Sequence, residues 1–184
     1  MEGMRFEAPE SIDAAISLLA SASGDARVLA GGTDLLVQLR ADMIEPELMV
    51  DIKRIAETRT VIEEDGGLRV GAGVAGAELK EHASFPKVWP GVMHAFDLIG
   101  STQIQGRCTL AGNLCNASPA ADSVPAMVAV GAIARIAGPN GAREVPVEEI
   151  PQGPGKTSLA KGEFVVSIFF PKKAANTGDD YLRF

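Results

Sequence analysis

Apolar positions in the first quarter of the chain switch between helical and strand spacing. Ile12, Ile16 and Leu19 share one helical face, flanked by Ala15 and Leu18, after the Pro9-Glu10-Ser11 punctuation. Ser11 and Asp13 open that helix, and residues 21–24 end it. Val28 and Leu29 then form a short apolar strand. Leu35, Leu36 and Leu39 restore helical spacing, with Gln38 and Arg40 on the wet side. Glu45-Pro46 breaks this helix, and residues 48–52 read as a second strand. Residues 1–56 are therefore expected to form a small α/β lobe in βαβ style.

Residues 59–62 and 68–70 have the pattern of a hairpin turned at Asp65-Gly66-Gly67. Residues 78–83 and 88–99 read as helices, with Pro86 and Pro90 near their starts. Residues 100–122 are rich in small, hydrogen-bonding residues and poor in large apolar ones. They read as a long polar loop organised around something. A helix begins at Pro125 and ends near Val130. Residues 132–137 and 143–147 are strands joined by the turn Gly138-Pro139-Asn140-Gly141, and residues 164–170 are an apolar strand ended by Pro171. A polar tail follows, and residues 181–184 look like the start of another strand. Residues 57–175 are expected to form a larger α+β lobe. Residues 176–184 would begin a further domain, so the native protein is expected to continue.

The junction Ala30-Gly31-Gly32-Thr33-Asp34-Leu35 is the first candidate site. Glycines permit backbone conformations and close approaches that a Cβ forbids, and Thr and Asp are N-cap types. Such a turn aims backbone N–H groups at one point beside a helix N-terminus, an arrangement suited to phosphate. The same turn would also serve as a plain strand-to-helix connection. Thr109, Asn113, Asn116 and Ser118 offer uncharged donors, and Asp122 offers an acceptor suited to a ribose hydroxyl. Together the two stretches favour a nucleotide cradle.

Composition narrows the choice. The 184 residues are 46% hydrophobic with a net charge of −7. They can bury a core, and the acidic balance argues against nucleic acid, whose phosphates need a basic face. Cys108 and Cys115 have no CxxC spacing and no neighbouring His, which favours free thiols in a reducing cytoplasm over a metal site. His82 and His94 lack a visible Asp or Ser partner and receive no role. No run approaches the ~20 apolar residues of a membrane span, and no basic region followed by an apolar core opens the chain.

Two conspicuous patterns are set aside. Gly71-Ala72-Gly73-Val74-Ala75-Gly76 spells G-x-G-x-x-G, but follows a hairpin strand rather than the first strand of a βαβ unit. Gly153-Pro154-Gly155-Lys156-Thr157 resembles the end of a phosphate-binding loop, but Ile150 stands where a Gly is needed.

Residues 30–36, 100–122 and 162–168 resemble, in order, the FAD-binding subunit of molybdenum hydroxylases, the xanthine dehydrogenase and aerobic carbon monoxide dehydrogenase family. The resemblance implies an α+β, two-lobed FAD-binding domain of the vanillyl-alcohol oxidase (PCMH) type, with the family's C-terminal lobe absent or truncated. It implies that Ala30, Gly31, Gly32, Thr33, Asp34 and Leu35 hold the FAD pyrophosphate. Thr109, Leu110, Ala111, Gly112 and Asn113 would cradle phosphates and ribityl chain, and Asn116 and Asp122 the ribose or nearby polar atoms. Ile99 and Gly100 would lie close to the cofactor, with Val165 and Arg183 near the flavin ring. Cys108 and Ala111 depart from the family pattern, each replacing a usual Gly. The implied chemistry is electron transfer without an acid–base residue of this chain. Electrons from a molybdenum cofactor on a large subunit would pass through [2Fe-2S] clusters on a small subunit to non-covalent FAD here, then to NAD⁺, a quinone or O₂. A cytoplasmic dimer of heterotrimers, with peripheral membrane contact through a quinone-linked partner, would fit. A self-sufficient flavin oxidase or reductase, and an assembly module that has lost FAD, are the alternatives.

Overall fold

A computed structural model describes residues 3–64 and 66–184. Asp65, assigned above to a hairpin turn, lies outside the described residues. The first elements are β1 (Arg5–Glu7), α1 (Ile12–Ser21), β2 (Ala26–Leu29), α2 (Leu35–Arg40) and β3 (Leu48–Asp51). The strands make a three-stranded sheet in the order β1-β3-β2, with both pairings parallel. Central β3 buries Leu48, Met49 and Val50, as expected of a strand covered on both faces. Ser11 caps α1 by accepting a hydrogen bond from Ala14 N at 3.2 Å, and Ala15 and Leu19 face the core. The three residues of β1 carry no apolar run, and the hydropathy pattern does not reveal them. The apolar face expected of α2 is not buried, and Leu36 and Val37 are exposed.

Two 3-10 turns, Ile52–Arg54 and Ala56–Arg59, lead to the larger part. It contains β4 (Val61–Glu64), β5 (Gly67–Gly71), α3 (Gly76–Lys80), α4 (Phe85–Val88), α5 (Pro90–Asp97), α6 (Thr102–Gln105), α7 (Leu110–Asn116) and α8 (Ser123–Ala129). Then come β6 (Ile133–Gly138), β7 (Gly141–Pro146), the short hairpin β8 (Pro151–Gly153) and β9 (Lys156–Thr157), and β10 (Phe164–Pro171). The five-stranded antiparallel sheet runs β4-β5-β10-β6-β7. Its central strand β10 comes last in sequence and buries Phe164, Val165, Val166, Ile168 and Phe170. Phe85 meets Phe170 edge-on, ring centroids 4.9 Å apart, a favoured aromatic geometry. On the other face Arg69 is 7% exposed. It pairs with Glu64 at 2.5 Å and Glu144 at 3.1 Å, and its guanidinium lies 5.2 Å from the Phe169 ring centroid.

Three expectations need correction. The helix expected over residues 88–99 is shorter, α5 alone, and Val88 ends the separate α4, which stops before Pro90 because that residue supplies no N–H to continue it. Residues 100–122 are not one loop, since they contain α6 and α7 and end at Asp122, the cap position of α8. Residues 181–184 form no strand. The tail instead lies against the larger part, with Asp179 accepting from Gly91 N at 2.7 Å and Asp180 meeting His94 at 3.0 Å.

Candidate functional site

A cavity of about 450 Å³ lies where the two sheets' lobes meet. One wall is the turn after β2. Ala30, Gly31, Gly32, Thr33, Asp34 and Leu35 all line it. Gly32 has φ +78°, a conformation that favours glycine. Leu36 N donates to Gly32 O at 3.0 Å, so α2 starts directly from the turn. Asp34 occupies the cap position of α2 without a side-chain cap bond. Among the described residues, the backbone N–H groups of Gly31, Gly32, Thr33 and Asp34 donate to no protein acceptor. Consecutive backbone N–H groups left free in a turn are the kind of donor set from which anion-binding concavities are built.

The facing wall is the start of α7. Thr109 is its N-cap, and the hydroxyl oxygen accepts from Gly112 N at 2.9 Å. Thr109, Ala111, Gly112, Asn113 and Asn116 line the cavity. Asn113 Oδ1 accepts from Ser123 Oγ at 2.6 Å, and Asn116 Oδ1 accepts from Gln38 Nε2 at 3.1 Å. Both Asn side chains are thereby oriented, and their amide N–H groups have no partner among the described residues. The Gln38–Asn116 bond joins α2 to α7 across the lobe boundary. Ile99 and Val165 complete the set of anticipated residues in the wall. Val165 stands at a bulge where β10 slips register against β6, the kind of irregularity that turns backbone groups out of a ladder.

Four anticipated residues lie outside this wall. Gly100 sits with φ +57° at the entry to α6. Leu110 is 3% exposed and belongs to the core. Asp122 accepts from the Tyr181 hydroxyl at 3.3 Å and lies 3.5 Å from Arg183, so the two residues engage each other. The sequence also omits part of the cavity: Asp25 and Arg27 at one rim, and Leu159, Lys161 and Glu163 at the other. Gln38 is missed as well, because helical spacing assigns it to solvent. Only the Gly162-Glu163 portion of the rim loop falls in a stretch that signalled the family.

Glu163 fixes that loop. Its carboxylate accepts from Arg143 at 2.8 and 2.9 Å and from Ala160 N at 2.8 Å. The Arg143 hydrogen bond, above all, holds its pKa below the ordinary value of 4.5. A depressed carboxylate pKa stabilises the fold above the unfolded value and loses that contribution as pH falls through the folded one. Glu163→Gln should therefore cost about 1 kcal/mol at pH 7. The difference from wild type should shrink as acid is added below pH 4.5, as read by thermal unfolding across pH. An equal deficit at pH 3 and pH 7 would contradict the assignment. The cavity thiols are the reverse case. Burial pushes Cys108 up to about 11 and Cys115 up to about 12, so both remain neutral near pH 7.

A small parallel-sheet lobe facing a larger antiparallel one across an N–H-lined cleft defines a two-lobed α+β cofactor domain. Residues 2–173 match the family model described as the FAD binding domain in molybdopterin dehydrogenase, and the chain belongs to that family. It is 37% identical over 158 residues to the xanthine dehydrogenase FAD-binding subunit of Escherichia coli O157:H7, covering 85% of this chain and 54% of that protein. It is 34% identical over 179 residues to the carbon monoxide dehydrogenase medium chain of Hydrogenophaga pseudoflava, covering 96% of this chain and 62% of the relative. In structure it superposes on carbon monoxide dehydrogenase from the same organism with a TM-score of 0.89 at 32% identity, covering 94% of this chain and 60% of the other. For quinoline 2-oxidoreductase from Pseudomonas putida 86 the TM-score is 0.88 at 29% identity, covering 97% and 65%. The chain thus spans less than two thirds of the length of these relatives. No helix among the described residues is long and apolar enough to cross a membrane.

Proposed function

We propose that this chain holds non-covalent FAD in the interlobe cavity, as the flavin-bearing part of a molybdenum hydroxylase. The observation that carries the reading is the run of free N–H groups at Gly31–Asp34, set across the cavity from capped α7. Those donors suit a pyrophosphate even in a chain of net charge −7, because the attraction comes from local backbone dipoles. Asn113 and Asn116 are placed to donate to ribityl or ribose oxygens. Residues 1–56 and 57–175 are the two lobes of the site. Neither His faces the cavity. His82 accepts from Phe85 N at 3.2 Å and His94 meets Asp180, which supports non-covalent attachment.

Bound flavin supplies the exchange of one and two electrons that joins iron–sulfur clusters to a soluble or membrane acceptor. The partners are a small iron–sulfur subunit and a large molybdenum subunit, in a cytoplasmic dimer of heterotrimers, with NAD⁺, a quinone or O₂ taking the electrons. The chain's own residues bind and orient the cofactor and exclude water from one side of it. Denaturing the complex purified from its native source should release one FAD per copy of this chain, seen as flavin absorbance in the supernatant. Colourless protein with no released flavin would overturn the reading.

A further inference from the structure

Lys53 touches none of the cavity, yet it reaches the phosphate turn from behind. It follows β3, in the 3-10 turn that Asp51 caps by accepting from Lys53 N at 3.0 Å. The same Asp51 oxygen accepts from Lys53 Nζ at 2.7 Å. Nζ also donates to Ala30 O at 2.8 Å. Ala30 is the last residue before the two glycines, and its carbonyl stands at the carboxyl end of β2, beside Asp51 in the neighbouring strand.

The two ends of one peptide unit point opposite ways. In the trans peptide between Ala30 and Gly31, fixing the carbonyl oxygen on Lys53 directs the Gly31 N–H away from it. Glycine would let this peptide rotate freely. Turned over, it would present a carbonyl oxygen where the turn now presents a donor, and an anion would be repelled. The Lys53–Asp51 pair is two-thirds or more buried, with Lys53 31% and Asp51 16% exposed, so the ammonium is held in place rather than sweeping through solvent.

We propose that Lys53 is a positioning residue of the dinucleotide site, locking the Ala30–Gly31 peptide so that the free N–H run converges on the pyrophosphate. The inference rests on the FAD reading above. It concerns the phosphate portion of the ligand alone, and that makes it separable from general loss of structure. The full chain, freed of flavin, is titrated with FAD and with riboflavin, which lacks phosphate, following flavin fluorescence. Lys53→Met should weaken FAD about tenfold, the scale of losing a charge-assisted bond, and leave riboflavin affinity within about twofold. Lys53→Arg, which can still donate to Ala30 O, should recover most of the FAD affinity. Unchanged FAD affinity in Lys53→Met, equal loss for both flavins, or no recovery with arginine would each overturn the proposal. Failure of the unsubstituted chain to bind FAD would instead remove the FAD reading itself.

Discussion

Gly31→Ala is expected to abolish FAD retention and to destabilise the chain. A Cβ added at Gly31 would press into the Arg107 carbonyl and stand 2.8 Å from Cys108 Cα. Both neighbours are backbone, so no side chain can swing aside. Cys108 is 4% exposed and leads directly into the Thr109 cap of α7. The turn and the start of α7 would have to separate, and these are the two walls of the cavity. Overpacking of this kind costs roughly 3 kcal/mol, or about 6–12 °C in melting temperature for a chain of this size. Widening the gap between the Gly31–Asp34 turn and α7 should weaken FAD at least a further hundredfold, about 2.7 kcal/mol. Calorimetry of the apo-chain and flavin titration measure the two effects. Wild-type melting with wild-type affinity would mean that the lobes are not in contact there. The same logic extends to Gly32→Val. Its φ of +78° strains any side chain, and the added Cβ would meet Leu29 Cδ1 at 2.8 Å.

Gly76→Ala should separate stability from cofactor binding. A Cβ there falls inside the ring of Phe96, which is 1% exposed and cannot rotate away. The expected loss is again roughly 3 kcal/mol. FAD affinity of the folded fraction should stay within about twofold of wild type, because neither Gly76 nor Phe96 lines the cavity. Were the G-x-G-x-x-G spelling a dinucleotide fingerprint, the same substitution would eliminate FAD. The structure explains the glycines by packing. Gly71 N donates to Thr60 O and Gly73 N to Thr58 O, both at 2.8 Å, and a Cβ at Gly71 would collide with the Thr58 backbone. Measuring affinity and melting temperature on one sample decides between the two accounts.

The contrast between these glycines shows which parts of the molecule were readable beforehand. Val28, Leu29 and residues 48–52 announced themselves because strands covered on both faces need continuous apolar runs. The three residues of β1 did not, since a short edge strand can be charged. Residues 110–116 hid a helix because Gly112 and Asn113 are weak helix formers. The Thr109 cap and the burial of Leu110, Ala111 and Leu114 hold it instead, and burial is a tertiary property. At the site, glycines and small polar residues marked both walls, and the family resemblance sharpened that reading. Both its chemistry and the resemblance point to Asp122 as a ligand acceptor, whereas the fold pairs it with Tyr181 and Arg183. Lys53 left no trace in the sequence pattern, because its partner is a main-chain oxygen 23 residues away.

Strand β10 carries a consequence for how the protein is made. It is the centre of the larger sheet, and β5 and β6 reach each other only through it. Its pairing of Ser167 with Gly71 joins residues nearly a hundred positions apart. A growing chain must hold the hairpin β4–β5 and the strands β6–β7 apart, with apolar faces uncovered, until this last strand emerges. Such long-range closure is slow and exposes strand edges meanwhile. Because Val165 of the same strand also walls the cavity, the chain cannot complete that cavity before synthesis has passed residue 165. Closure of the cavity thus waits on the strand that closes the sheet.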